Sequence, residues 1–473
     1  MQNRYADWLP EHGFFRQKPK PVIQPETLLI NHHLAQAFGI DPEWLRSAEA
    51  TAIWAGNQLP HGADPMALAY AGHQFGTPVS QLGDGRALLL GQLPNASGLR
   101  HDFQLKGSGP TPFSRMGDGR AALGPVLREL IVGEAMHALG IPTSRVLTTI
   151  RTGEVVHRQA GAEPGAILTR VAQSHLRFGS LEYFINRSDI GGVQAVADAA
   201  IAWHYPDLNE HQGPERYFAL LERVTERTIH LVVEWLRVGF IHGVMNTDNM
   251  TLTGETLDYG PCAFMDHFSP QRVLSSVDRG GRYAFNQQPH MAQWNLARLA
   301  ECLLPLIGED ALDSVSEAIH AIPAQFQCEY NTMMRRKLGL VTEQTTDQGL
   351  SEALLDQMHQ ANLDYTNTFS ALTQGQPLPA LAEWLTAYHN RLALEHSDPA
   401  QRQALMRAAN PVVIARNHLV EQALIAAEHG DLKPAEQLLA ILQQPYTTSA
   451  IKNRDFLRPP RQEEIVPATF CGT

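Results

Sequence analysis

Cysteine is scarce: the 473 residues hold four, Cys262, Cys302, Cys328 and Cys471, and no two form a CxxC pair. That spacing excludes a zinc knuckle and a disulfide framework, and free thiols fit a reducing compartment. The 21 histidines form no HExxH or HxxxH pair, so a zinc hydrolase is excluded as well. No apolar run reaches bilayer-spanning length. The first residues, Met1-Gln2-Asn3-Arg4-Tyr5-Ala6-Asp7-Trp8, contain no apolar core of signal-peptide length. Positive charge is also in deficit, with 37 Lys and Arg against 49 Asp and Glu for a net charge of −12. No global field draws such a chain to nucleic acid or to an anionic membrane. These absences predict a cytoplasmic protein with neither as a partner. A local basic pocket within an acidic protein is the form that a nucleotide site would take.

Hydrophobic residues make up 44% and charged residues 18%, ordinary for a globular chain with a sizeable core. The length exceeds one compact domain and predicts two lobes with extensions. Residues 1–65 read as an irregular extension packed on the body, interrupted by Pro10, Pro19, Pro21 and Pro25. Residues 66–180 read as strand-rich. Ala87–Leu90 is apolar, Asn95–Gly98 has turn chemistry, and Asp102–Lys106 alternates as a half-buried strand should. A helix follows from Leu123 with Pro125 in its first turn, ending at Gly140. Further strands are expected at Val146–Ile150 and Ala166–Val171. Residues 181–380 read as helical with an interruption near 239–268, and residues 381–473 as a helical extension and tail. The amphipathic stretches are 213–238, 290–306, 311–328, 381–396 and 411–428. A small β-rich lobe with one helix, then a large helical lobe, is an α+β layout like that of protein kinases. At that level the likeness concerns fold only.

Chemistry enters with a few segments. Gly83-Asp84-Gly85-Arg86 lies between strand-like runs; its glycines permit a tight turn close to a phosphate, and Arg86 can pair with phosphate oxygens. A plain hairpin turn is the alternative. Lys106 ends a strand in the manner of the kinase β3 lysine, which requires an acidic partner on the next helix. Glu129 and Glu134 both qualify. Arg170 and Arg177 flank the expected lobe junction and suit a triphosphate tail, or surface ion pairs. The most informative stretch is His242-Gly243-Val244-Met245-Asn246-Thr247-Asp248-Asn249. Kinase catalytic loops run H-R-D-x-x-x-x-N, the Asp accepting the substrate proton and the Asn binding metal. Asn249 arrives on schedule, but the base position falls on Val244, which cannot take a proton. A carboxylate stands instead at Asp248, and Asp258-Tyr259-Gly260 follows where a D-F-G metal site would lie. Oxygen donors from Asn249 and Asp258, with nucleotide phosphates, suit Mg²⁺ or Mn²⁺.

Over essentially its whole length the chain resembles the selenoprotein O (SelO, or YdiU) family of pseudokinases. The resemblance rests on Gly72–Gly76, Gln81–Arg86, Lys106-Gly107, Ser114–Arg120, Ser174–Gly179, His242–Met250 and Leu257–Gly260. It implies a kinase-like fold that binds ATP reversed and transfers AMP to Ser, Thr or Tyr hydroxyls of proteins with release of pyrophosphate. Some members are reported to use UTP with Mn²⁺. By resemblance Gly83, Gly85, Arg86, Lys106, Asp118 and Gly119 line the nucleotide, and Glu129 pairs with Lys106. Arg170 and Arg177 hold the γ-phosphate, Asp248 accepts the proton, and Asn249 and Asp258 bind the metal. Cys471 stands where eukaryotic relatives carry selenocysteine. The stretch where some members place its partner reads Val273-Leu274-Ser275-Ser276, which leaves only Cys262 and makes a mobile tail thiol the simpler reading. Two other functions compete: a conventional phosphotransferase, against which Val244 counts, and a non-catalytic ATP-binding scaffold, which has no use for Asp248, Asn249 and Asp258.

Overall fold

The computed structural model describes residues 1–158, 161–448, 451 and 453–470. The first half carries the sheet, in strands β1 (Phe14–Arg16), β2 (Glu26–Ile30), β3 (Met66–Leu68), β4 (Gly72–Gln74), β5 (Thr77–Val79), β6 (Ala87–Pro94), β7 (Arg100–Lys106), β8 (Ala121–Ala122), β9 (Arg145–Arg158) and β10 (Gly161–Ala172). All pairings in the main sheet are antiparallel, in the order β1-β3-β6-β7-β10-β9-β2, with β8 beside β10. The first 65 residues are therefore less irregular than their prolines imply. They supply both edge strands, together with the short helices α1 (Tyr5–Trp8), α2 (His32–Ala37) and α3 (Ala48–Trp54). Three-residue to five-residue edge strands are too short for periodicity to reveal, and short edges also resist pairing with other chains.

Side chains alternate across a strand, and the register sorts the two faces of the sheet. Lys106 lies opposite Ala87 on β6 and Leu168 on β10, and Gln104 lies opposite Arg170. Gln104, Lys106 and Arg170 thus share one face, which helix α4 (Leu123–Ala138) covers. The alternate residues Phe103, Leu105, Ile167 and Val171 point the other way into a second apolar core with Leu34, Leu45, Ile53 and Trp54 of the N-terminal segment. α4 is buried nearly throughout and stops at Gly140, whose φ of 81° favours glycine.

Beyond the sheet come α5 (Phe178–Ile185), α6 (Ile190–His204), α7 (Glu215–Arg237), the two-residue strands β11 (Phe240–Ile241) and β12 (Ala263–Phe264), then α8 (Gln288–Ile307), α9 (Leu312–Leu338), α10 (Asp347–Gln360), α11 (Tyr365–Thr373), α12 (Ala382–Leu392), α13 (Pro399–Ala409), α14 (Asn417–Glu428) and α15 (Lys433–Leu442). The molecule is thus a mixed α and β fold, with an antiparallel sheet and many helices. α9 contains an interior Pro323 and runs ten residues beyond the expected end at 328. α14 starts six residues later than expected: Val412, Val413 and Ile414 are buried in irregular chain before it, an apolar run that periodicity alone cannot tell from a helix. Among the described residues no helix is long and apolar enough to cross a membrane.

Candidate active site

Between the sheet and the β11–β12 segment lies a cleft of about 630 Å³. Its walls include Gly83, Gly85, Arg86, Lys106, Asp118, Gly119, Arg170, Arg177, Asp248, Asn249 and Asp258. Of the residues that the resemblance assigns to nucleotide, metal or proton, Glu129 is the one that lies behind the wall. The lining carries six arginines and one lysine against four aspartates, so the cleft is a basic site in an acidic chain.

At its inner end four charged side chains interlock. Lys106 Nζ lies 2.6 Å from Glu129 Oε2 and 2.6 Å from Asp258 Oδ1. Arg170 approaches Glu129 Oε1 to 2.5 Å and Asp258 Oδ1 to 3.6 Å. The choice left open on α4 is thereby resolved: Glu129 faces the lysine, whereas Glu134 pairs with Arg145 at 2.6 Å. The neighbouring Arg128 fixes the helix from the other side. It donates to the carbonyls of Gly260 and Cys262 and to Asn417 and Glu421 of α14. Burial by itself would raise the Glu129 and Asp258 pKa values, but the adjacent Lys106 and Arg170 hold both below the usual carboxylate range. Arg170 is thus spent largely on Glu129, deeper in the site than a triphosphate clamp alone would require. Asp258 has a φ of 72°, a left-handed conformation that costs a non-glycine residue energy and is found where a side chain must be aimed.

The glycines make room at close quarters. A Cβ on Gly83 would fall 2.4 Å from the Phe113 ring, and one on Gly119 2.1 Å from the Gly109 carbonyl carbon. The 111–119 loop is strapped over Gly83–Gly85 by Thr111 Oγ1, which donates to the Asp84 carbonyl at 2.7 Å, and by Ser114, which bonds the Gly85 carbonyl. Asp118 pairs with Arg158 at 2.9 Å.

The 242–249 loop divides its labour. His242 is buried against Trp235 with ring centroids 5.2 Å apart, and burial lowers its pKa to about 4, so it is a neutral packing residue. The Val244 carbonyl accepts the Asn249 side-chain amide at 2.9 Å, which leaves Asn249 Oδ1 for another partner. Arg177 donates to the Asp248 carbonyl at 2.9 Å and lies 4.3 Å from the Tyr70 ring centroid. Asp248 is 7% exposed, its buried Oδ1 has no hydrogen-bond partner, and burial pushes its pKa up to about 6 against the pull of Arg177. A raised carboxylate pKa with an unfilled acceptor is what a proton-accepting group requires.

The sequence did not single out the residues that seat Asp248. Gly72 is one: a Cβ there would meet Asp248 Oδ1 at 2.6 Å. On the same strand His73 N–H donates to Thr247 Oγ1, and at the hairpin tip that follows Phe75 N–H donates to Asn246 Oδ1. Glu182 of α5 is buried beside His73, 3.1 Å from Nδ1. The run Gly72–Gly76 carries the only sequence signal for this support, namely glycines flanking polar residues.

For a divalent cation the donors fit. Asp258 makes its ion pairs through Oδ1, leaving Oδ2, and Asn249 offers Oδ1; both line the cleft and both are hard oxygen ligands. Among the described residues no cluster of three His, Cys, Asp or Glu side chains forms a metal site without help from a nucleotide. Cys262 is buried, and that burial pushes its thiol up to about 12; Cys471 lies outside the described residues.

The family model described as protein adenylyltransferase SelO matches residues 5–443. A protein nucleotidyltransferase YdiU of Bradyrhizobium sp. (strain ORS 278) is 50% identical over 490 residues, covering 100% of this chain and 99% of its own. Proteins of the same name from Cereibacter sphaeroides and Methylorubrum extorquens are 50% and 49% identical with the same coverage. The chain belongs to the SelO family of protein adenylyltransferases.

Proposed function

We propose that this protein transfers AMP from ATP to Ser, Thr or Tyr hydroxyls of other proteins, in a bilobal, kinase-like arrangement with the cleft between the lobes. The observation that carries the reading is the buried Asp248 carboxylate with its unpartnered Oδ1, lining the same cleft as Asn249 and Asp258, where the kinase base position holds Val244. Asp248 takes the proton of the acceptor hydroxyl. The hydroxyl oxygen bonds to the α-phosphorus, the bond from that phosphorus to the oxygen bridging it to the β-phosphorus breaks, and pyrophosphate leaves with the electron pair. Asn249 and Asp258 hold Mg²⁺ or Mn²⁺, which when bound neutralises phosphate charge. Lys106 and Arg177 add fixed positive charge, and Gly83 and Gly85 let the backbone approach the phosphates. Glu129 positions Lys106 and Arg170. Arg86, Asp118 and Gly119 complete the nucleotide wall. UTP is a second nucleotide to assay.

The test uses ATP labelled at the α or the γ phosphorus, with Mg²⁺ or Mn²⁺ and acceptor protein. Protein-bound label from the α position alone is expected. Label from γ alone would make the enzyme a phosphotransferase, and binding without either label would make it a scaffold.

A further inference from the structure

Beside the cleft a turn carries two arginines, Arg279 and Arg282, that form no ion pair among the described residues. Asp278 is buried and spends its carboxylate on the backbone N–H groups of Arg282 and Tyr283, at 2.9 and 2.8 Å. This fixes the turn internally and leaves its arginines without a carboxylate. Tyr283 is buried, and its hydroxyl donates to Asn246 Oδ1 at 2.7 Å, the same oxygen that accepts the Phe75 N–H at 3.0 Å. The β4–β5 hairpin tip and this turn are therefore pinned to one residue, two positions before Asp248. The Phe75 and Tyr283 rings lie 5.2 Å apart, yet Phe75 keeps 37% of its surface exposed and holds a φ of 53°. Such a conformation is costly for an aromatic residue and persists where something else requires it.

Arg282 lies against this tip, where a Cβ on Gly76 would approach its guanidinium carbon to 3.3 Å. The same carbon sits 4.8 Å from the Trp294 ring centroid. Arg298 lies 5.0 Å from that ring and is matched by Glu301 at 2.6 Å. Arg282 forms no ion pair among the described residues, and its Nε is buried without a partner. Arg279, exposed in the same turn, forms none either. A guanidinium held over an aromatic ring, with no carboxylate paired to it among the described residues, is preorganised to receive one.

We propose that Phe75 and Arg282 form the docking shelf for the acceptor polypeptide, and that Arg282 selects hydroxyls flanked by Asp or Glu. This rests on the AMP-transfer reading and adds a substrate class to it. The occupant follows from continuity with Asp248 through Asn246 and from charge: an acidic segment complements Arg282 and Arg279, whereas a basic one meets repulsion.

The experiment offers peptides with a single hydroxyl flanked by Asp/Glu, by Asn/Gln or by Lys, with α-labelled ATP, to the wild type and to Arg282→Ala, Arg282→Lys and Arg282→Glu. The wild type should favour acidic peptides about tenfold or more in kcat/KM, mainly through KM, as for one charge-assisted contact. Arg282→Ala should lose this preference with kcat little changed, Arg282→Lys should retain part of it, and Arg282→Glu should favour the Lys peptides. Transfer without preference in the wild type, or preference surviving in Arg282→Ala, overturns the proposal and leaves AMP transfer standing. No transfer to any peptide or protein by the wild type overturns the AMP-transfer reading itself, and the shelf with it.

Discussion

Glu129→Gln is the most informative single change, because one buried carboxylate holds two cations that face the cleft. Glu129 is 3% exposed and meets Lys106 at 2.6 Å and Arg170 at 2.5 Å. Removing one partner of a buried pair typically costs about 3–5 kcal/mol; the amide keeps one acceptor oxygen, so about 2–4 kcal/mol of stability should be lost here. The functional loss has a separate cause. Without Glu129, both cations turn to Asp258, already 2.6 Å from Lys106, and compete with a metal for its oxygens. AMP transfer should fall about a hundredfold, equivalent to about 2.7 kcal/mol of transition-state stabilisation, and saturation should require more Mg²⁺. The folded-state pKa of Glu129 is depressed. Its stabilisation is therefore fully present above the unfolded value of about 4.5 and is lost as pH falls through the folded value. Urea melts of the two proteins should differ by a constant amount between pH 6 and 8, and the gap should close under acid. A variant melting within about 0.5 kcal/mol of the wild type and transferring AMP within twofold would refute the reasoning.

Asp258→Asn should abolish transfer and weaken metal-dependent nucleotide binding in a calorimetric titration, while nucleotide binding without metal persists. Asp248→Asn should lower transfer by about 10²-fold or more while nucleotide affinity stays near the wild-type value; because Oδ1 has no partner to lose, its melting temperature should not drop. Gly72→Ala places a methyl group 2.6 Å from Asp248 Oδ1 and should cost about 1–3 kcal/mol of stability together with most of the transfer rate, again sparing nucleotide binding.

Local signals carried much of the fold and nearly all of the cleft into the sequence. Lys106 was legible because β7 alternates, and the α4 pattern from Leu123 to Gly140 presented Glu129 and Glu134 together. Choosing between them needed the register that sets Lys106 beside Ala87 and Leu168, a non-local fact. The edge strands β1 and β2 were invisible because three to five residues among prolines give no period. Arg170 shows a subtler limit: its place in the cleft could be read, but its commitment to Glu129 depends on facing Gln104 across two strands. The support of Asp248 by Gly72 and Thr247 joins residues some 175 positions apart, which no spacing rule reaches.

Val244 stands where kinase catalytic loops carry their base, yet the surroundings here are built rather than eroded. Val244 still serves through its backbone: its carbonyl orients the Asn249 amide at 2.9 Å, and its N–H meets His242 Nδ1 at 3.3 Å. Decay would leave Asp248 an arbitrary buried charge, which solvent or a partner would have to relieve. Instead two glycines on separate elements clear space for it. A Cβ on Gly72 would strike its carboxylate, and one on Gly179 of α5 would come within 2.2 Å of the Ala71 carbonyl and 3.3 Å of the Asp248 Cα. Any larger residue at either place would displace strand β4 or the catalytic loop. Two positions without side chains, one against the Asp248 carboxylate and one against its backbone, thus seat a carboxylate in a basic cleft four residues beyond Val244, which is the placement that the proposed attack of a hydroxyl on the α-phosphorus uses.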